Sequence, residues 1–314
     1  MLRKIPVITG PTAAGKTKLG VMLALELGGE IVSADSMQIY RGMDTGTAKP
    51  SEKDMMGIPH HMISVADPAE NYSVARYVKE ATQKTEDILS RGKIPFIVGG
   101  SGLYIDSLIN GREFADAPKN DALRRSLSDM FDRAGGEAML NKLRLADPAA
   151  ASKLSAGDKK RIVRALEVYE ITGRTITEHD LESASRPPRF DAVKIAVSYE
   201  DRKTLYSRID ERVDDMVAKG LFEEVQKLLP VISGPNTTAG QAIGYKEAAS
   251  ALRGEMTRAE ATDLIKKESR RYAKRQLTWL RRDKNIYWIL RGNERDLDFA
   301  FRTSLGILTN GTNG

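Results

Sequence analysis

An α/β fold, with a parallel sheet, helices on both faces and an inserted helical domain, follows from three features of the sequence. Short apolar runs alternate with amphipathic stretches of helical length, a rhythm that lays strands side by side and packs helices over them. A glycine-rich turn separates the first apolar run from the first amphipathic stretch. Residues 114–190 break the rhythm, with helical patterning and no convincing strand.

In chain order, residues 4–9 read as a buried strand, because Ile5, Val7 and Ile8 precede the glycine-rich turn. Residues 16–26 read as an amphipathic helix with Leu19, Leu23 and Leu27 on one face. Residues 30–33 make a second strand. Residues 73–91 make a helix that Gly92 stops. Residues 94–98 form a third strand, ending in Gly99-Gly100, and 193–197 and 286–289 form the last two. His60-His61 is expected in a loop rather than at a metal, since no cysteine or carboxylate cluster supports it. Gly42, Gly46 and Gly57 are expected in turns. Ala117-Pro118 and Arg186-Pro187-Pro188-Arg189 flank the helical stretch. The expected division is therefore a core of 1–113 and 191–314 and an insert of 114–190. A set of ordinary crossover helices is the alternative.

The 314 residues suffice for a full α/β core plus such a module. Hydrophobic residues make up 41%, the proportion of an ordinary globular protein. No apolar run is long enough to span a bilayer, and the N-terminal residues do not read as a secretory signal. The absence of cysteine excludes disulfides and thiolate metal sites, which makes a cytoplasmic protein the expectation. Nothing marks a dimer interface, so a monomer is expected. The net charge of +6 is concentrated: residues 266–284 hold nine Lys and Arg against Glu268 and Asp283. That local excess exceeds the excess of the whole chain.

Gly10-Pro11-Thr12-Ala13-Ala14-Gly15-Lys16-Thr17 matches G-x-x-x-x-G-K-[ST], with a strand before it and a helix after it. Small residues let backbone amides turn inward around phosphate oxygens. The helix that follows presents its positive end to the anion. Lys16 adds a point charge, and the Thr17 hydroxyl can coordinate magnesium (Mg2+). The core is thus expected to be P-loop NTPase-like and to bind phosphate or diphosphate; ATP is not specified. The magnesium-linked aspartate usual at the end of a second strand signature is missing. The third strand instead runs Ile97-Val98-Gly99-Gly100-Ser101. The nearest strand-end carboxylate is Asp35. Open parallel sheets bind ligands beyond the carboxyl ends of their strands, so Asp35 and the phosphate loop should face one crevice. Asp35 is then either a turn cap or a functional group, and its neighbourhood favours function.

The segments GPTAAGKT (10–17), DSMQIYRGMDTGTAKP (35–50), IPHHMISVADPAENYSVARY (58–77) and IPFIVGGSGLY (94–104) resemble the tRNA dimethylallyltransferase, or IPP transferase, family in order and spacing. DKKRIVRALEVYEITGRT (158–175), RIDERVDDMVAKGLFEEV (208–225), QAIGYKE (241–247) and AKRQLTWLRRD (273–283) continue the resemblance. It spans nearly the whole chain, although residues after Arg291 carry no motif of the family. It implies transfer of a dimethylallyl group from dimethylallyl diphosphate to the exocyclic amine of the adenosine 3′ of the anticodon, in the anticodon stem-loop of tRNA. It further implies that residues 10–17 hold the diphosphate with magnesium near Thr17. Asp35 would be the general base, Arg212 would handle diphosphate, and Ser101 would approach the reacting nucleotide. Contacts to tRNA would come from Asp35, Ser36, Met37 and Gln38, and from Lys159, Lys160, Arg161, Ile162 and Val163. Gln241, Gly244, Tyr245 and Lys246, and Lys274, Arg275, Gln276 and Arg281, would supply the rest.

The chemistry implied is consistent with these residue types. An adenine amine is a poor nucleophile, so the allylic carbon must be aligned with it. Cations must stabilise the departing diphosphate, and a carboxylate must take the proton. The target base must also be unstacked. Arg271, Lys274, Thr278 and Arg281 recur on one face of a basic helix, opposite Ile265, Ala273, Leu277 and Leu280. Tyr272 and Trp279 read as packing residues. A P-loop small-molecule kinase would need a nucleotide-base pocket. A free adenine-nucleotide prenyltransferase would not need the long cationic face. A non-enzymatic RNA-binding module would need neither Asp35 nor the phosphate loop.

Overall fold

The computed structural model describes residues 4–112, 114, 120–232, 237–292 and 297–310. Strands β1 (Ile5–Thr9), β2 (Gly29–Ser33), β3 (His60–His61), β4 (Ile94–Val98), β5 (Ala192–Tyr199) and β6 (Tyr287–Arg291) form one sheet. Their order is β3-β2-β4-β1-β5-β6, and every pairing is parallel. Every residue of β1 and β2 is buried, because a parallel sheet is covered on both faces.

One face is covered by a layer that includes Val7, Ile97, Tyr77, Phe222 and Tyr245. The other holds Ile8, Leu19, Leu23, Phe96 and Val197, with Leu297, Phe301 and Leu305 packed against them. The latter three belong to the helix Leu297–Asn310. The residues beyond Arg291, which carry no motif, thus close the sheet's second face. The helix Val74–Ser90 begins where the Ser73 hydroxyl accepts the Arg76 amide and stops before Gly92, which adopts a φ of 72°.

The histidine pair departs from expectation. His60-His61 pairs with Ile31 and Val32 as an edge strand. The His61 Nε2 lies 2.8 Å from the Glu30 carboxylate. Glu30 is buried and also accepts hydrogen bonds from Arg91 and Lys93; the Arg91 guanidinium first, against the cost of burial, holds it well below the usual carboxylate range. Two residues are too few to carry a period-2 signal, so the strand is unreadable in sequence. No group of three or more histidines and carboxylates placed to hold a metal occurs among the described residues.

The chain divides into two compact units, 1–109 with 189–314, and 110–188. Among the described residues the second unit is helical: Asp121–Ala134, Gly136–Ala146, Pro148–Ala151, Lys159–Thr172 and Ile176–Ser185. Its own core includes Leu127, Leu140, Leu143, Ile162 and Leu166. The Ala117-Pro118 boundary lies outside the described residues.

Candidate active site

The phosphate loop leaves β1 at Gly10 and enters the helix Lys16–Leu27. Gly10 adopts φ 142°, and a Cβ there would lie 2.1 Å from the Val197 carbonyl oxygen; only glycine lets the loop turn this tightly over β5. Ala13 and Gly15 also have positive φ, so the backbone curls back on itself between them. The Lys16 ammonium donates to the Pro11 carbonyl at 2.7 Å, folding the side chain over the loop.

Asp35 follows β2 and is half-buried. Its Oδ1 accepts the amides of Met37 (2.9 Å) and Gln38 (3.4 Å), so the carboxylate caps the turn. Ser101, beyond the end of β4, accepts the Ser36 amide at 3.0 Å through its hydroxyl. The Ser101 amide donates to the Ala34 carbonyl at 3.1 Å. The turns after β2 and β4 are therefore stitched together, with Asp35 and Ser101 on the same side.

Lys16, Arg212 and Asp35 interact electrostatically. Burial first, and then the Arg212 guanidinium, lower the Lys16 pKa to about 7, while Asp35 pulls it up. Arg212 is likewise held below its ordinary value by burial, with Asp35 again opposing. Its Nη2 donates to the Thr47 carbonyl at 3.3 Å, and its buried Nε has no protein partner. Two cations that repel each other, one with an unsatisfied donor, one of them on the glycine-rich loop, make a site suited to a multivalent anion.

Three tyrosines lie near Asp35, two of them in the core. Tyr77 and Tyr104 stack with centroids 4.1 Å apart. Burial pushes both phenols well above the usual range, with Asp35 adding to the shift. Tyr272 is raised to about 12 by burial and then by Asp35, with the Ser101 and Gln276 side chains opposing. Of the three only Tyr272 is not buried, and an aromatic ring beside a carboxylate suits a short hydrocarbon group next to an acceptor.

Several residues expected at an RNA surface are placed otherwise. Gln276 is buried: its Oε1 accepts the Thr12 amide at 2.9 Å and its Nε2 donates to the Gly100 carbonyl at 2.9 Å. It pins the phosphate loop to the turn after β4. Gln38 is buried with its amide nitrogen on the carbonyls of Thr47 (3.3 Å) and Ala48 (3.4 Å). Tyr245 is buried and donates to Glu224, and the Gly244 amide donates to Glu247. Ile162 and Val163 lie in the core of the second unit. All of these positions are buried, which no motif discloses. Gln241, Lys246, Lys160 and Arg161 are exposed, although Lys246 pairs with Glu247 at 3.4 Å and Arg161 with Asp158 at 3.2 Å; Lys159 pairs with Asp132 at 2.6 Å.

The helix Arg258–Leu280 turns Ala261, Ile265, Ala273 and Leu280 inward. Lys266, Arg270 and Arg271 pair with Asp214, Asp210 and Glu268. Lys274, Arg275 and Arg281 are exposed, and among the described residues no carboxylate pairs with them. Trp279 donates to Asp106 at 2.7 Å, a packing role. Arg291, at the end of β6, is a further feature of the site. It is buried, its Nη1 donates to the Ala14 carbonyl at 3.2 Å, and it lies over the Tyr199 ring. Its only sequence signal is a place at the carboxyl end of the last strand.

Two family models match the chain: IPP transferase over residues 38–283 and isopentenyl transferase over residues 3–65. The tRNA dimethylallyltransferase of Acetivibrio thermocellus is 48% identical over 283 residues, covering 90% of each chain. That of a Thermoanaerobacter species is 45% identical, covering 92% of each. Among solved structures, the full-length tRNA isopentenylpyrophosphate transferase of Bacillus halodurans superposes with a TM-score of 0.71 at 38% identity, covering 99% of this chain and 100% of that one. A eukaryotic dimethylallyltransferase captured acting on tRNA superposes with a TM-score of 0.84 at 30% identity, covering 99% of this chain and 79% of that one.

Proposed function

Since the chain belongs to the IPP transferase family of tRNA dimethylallyltransferases, we propose that its crevice joins the dimethylallyl group of dimethylallyl diphosphate to the exocyclic amine of the adenosine 3′ of the anticodon. One bond forms, between that nitrogen and the allylic carbon, and one breaks, between the carbon and the diphosphate oxygen. The observation that carries the reading is the electrostatic grouping of Lys16 and Arg212 with Asp35 at the carboxyl end of the sheet. The cations take the diphosphate as it departs with the bonding electrons. The carboxylate takes the amine's proton as the new bond forms. Ser101, stitched to the Asp35 turn, lies where the nucleotide would approach, and the Tyr272 ring shields the allyl group from water.

Magnesium fits this donor set. A magnesium ion keeps several waters and shares substrate oxygens, so it needs few protein ligands. The Thr17 hydroxyl would hold it against the diphosphate, where it would offset negative charge. Affinity for tRNA comes from exposed cations: Lys274, Arg275 and Arg281 on the long helix, Lys246, and Lys160 and Arg161 in the helical insert. No described helix is long and apolar enough to cross a membrane, and we take the enzyme to act in the cytoplasm as a monomer.

The test is mass spectrometry of nucleosides from tRNA incubated with the protein and dimethylallyl diphosphate. One modified adenosine carrying a dimethylallyl group is expected. Turnover of ATP in place of the prenyl donor would favour a kinase, and modification of free adenine nucleotides alone would remove tRNA as the acceptor.

A further inference from the structure

Glu224 lies in the helix Leu221–Ile232, and no role given above uses it. Its Oε2 accepts the amides of Asp44 (3.1 Å) and Thr45 (2.7 Å). Its Oε1 accepts the Gly46 amide (3.1 Å) and the Tyr245 hydroxyl (2.5 Å). Three successive amides converging on one anion form a nest of the kind that elsewhere takes phosphate; here a side chain of the protein fills it. The turn is also clamped from the side, since a Cβ at Gly46 would meet the Tyr245 ring at 2.5 Å.

The residue after the nest touches the reaction site. The Thr47 carbonyl receives Arg212 Nη2 and Gln38 Nε2, each at 3.3 Å. The same residue reaches the Asp35 carboxylate through its backbone amide, at 3.4 Å. A carbonyl is a useful anchor only if its own peptide is fixed. The hydroxyl of Thr47 is spent locally, on the carbonyl of Met43 at 2.7 Å. The carboxylate of Glu224 is what ties the turn to a distant element.

We propose that Glu224 is a positioning residue for prenyl transfer: through the 44–47 turn it sets the Arg212 guanidinium against the donor diphosphate. The role rests on the activity proposed above. It requires a carboxylate, because four donors converge on two oxygens. Glutamine has nearly the same shape but turns a donor NH2 toward donors. Glu224→Gln therefore loosens the turn while leaving side-chain volume unchanged.

The experiment measures steady-state kinetics for both substrates in wild type, Glu224→Gln, Arg212→Ala and the double variant, with a thermal melt of each. Glu224→Gln is expected to raise the KM for dimethylallyl diphosphate roughly tenfold, with the Kd for tRNA changed by less than about twofold. In the Arg212→Ala background the same substitution should move the donor KM by less than about twofold, because its effect runs through Arg212. An equal factor in both backgrounds overturns the proposal, as does an unmoved donor KM. Tyr245→Phe removes a single donor and keeps the carboxylate, so it serves if Glu224→Gln fails to fold. It should raise the same KM by a smaller factor, and no rise would count against the role. Wild type is decisive between the two readings. An inactive wild type removes the activity and this role with it, whereas an active wild type with an indifferent Glu224→Gln removes the role alone.

Discussion

The proposed function gives the Asp35 side chain a second task besides its turn cap, and the two can be separated. One carboxylate oxygen caps the turn through Met37 and Gln38. Asparagine keeps an oxygen for that cap but cannot take a proton. Asp35→Asn should therefore fold and bind tRNA like wild type while turnover falls by about a hundred- to ten-thousand-fold, the usual cost of losing a general base. Wild-type turnover in purified Asp35→Asn would end the assignment. Lys16 offers a second test, through pH. Its pKa in the donor-free site is lowered to about 7, so the ammonium is charged below that pH and increasingly neutral above it. The diphosphate is anionic throughout and prefers the charged form. The kcat/KM for the donor, which reports the free enzyme, should fall as pH rises through about 7. The kcat should fall less, because bound diphosphate restores the charge on the lysine. Lys16→Arg should lack this limb, since guanidinium does not titrate there; a limb that persists in Lys16→Arg would belong to another group. The glycines and lysine of the phosphate loop are legible in sequence because each is there for a steric or electrostatic reason that admits few substitutes. Gln38 is the contrary case. An amide suits a base edge and a backbone carbonyl equally, and only depth in the fold shows that this one is committed to Thr47 and Ala48.

At the scale of elements, helical periodicity is sufficient to orient the long basic helix but not to weigh its charges. Ile265, Ala273 and Leu280 face inward as their spacing requires. Gln276 shares that inward face, and its polarity gives no hint that it ties Thr12 to Gly100. Of the cations, Lys266, Arg270 and Arg271 meet carboxylates three residues along or on a neighbouring helix. Pairs of that second kind cannot be counted from a linear charge run. Among the exposed cations left over are Lys274 and Arg275 toward the end of the helix and Arg281 at its cap. Replacing these three by alanine should weaken tRNA binding and flatten its salt dependence by about 0.7–0.9 logarithmic units for each phosphate no longer neutralised. The donor KM should stay where it is. Binding isotherms at several salt concentrations measure the slope, and an unchanged slope would mean that this face meets solvent and not RNA.

For the whole molecule, the division of labour between the two units follows from how the chain leaves and re-enters the sheet. The Phe190 amide donates to the Ile109 carbonyl at 3.1 Å, so the core unit closes on itself where the helical unit departs. Each unit also has its own apolar cluster: one layer on each face of the sheet, and a separate one around Leu127, Leu143 and Leu166. The break in the strand–helix rhythm makes the insert visible in sequence, since a stretch without strands cannot extend a parallel sheet. The closure of its stem is not visible there, because it rests on contacts between positions far apart in the chain: the Phe190–Ile109 hydrogen bond, the burial of both side chains in one cluster, and the Arg189–Glu86 pair. Insertions of this kind are tolerated when the host's ends already meet. Replacing 110–188 by a short glycine–serine linker should therefore give a core that melts in a single transition. That core keeps Gly10 to Thr17, Asp35, Arg212 and Glu224, so the diphosphate of the donor should still raise its melting temperature, by about 2.7 kcal/mol of stabilisation at a hundred times the dissociation constant. Without Lys160 and Arg161 its affinity for tRNA should drop, and modification with it. Calorimetry with and without dimethylallyl diphosphate checks the first part, and gel-shift titration the second. A truncated protein that fails to fold would show that the insert is part of the core's stability, and one that modifies tRNA at the full rate would confine RNA recognition to the core.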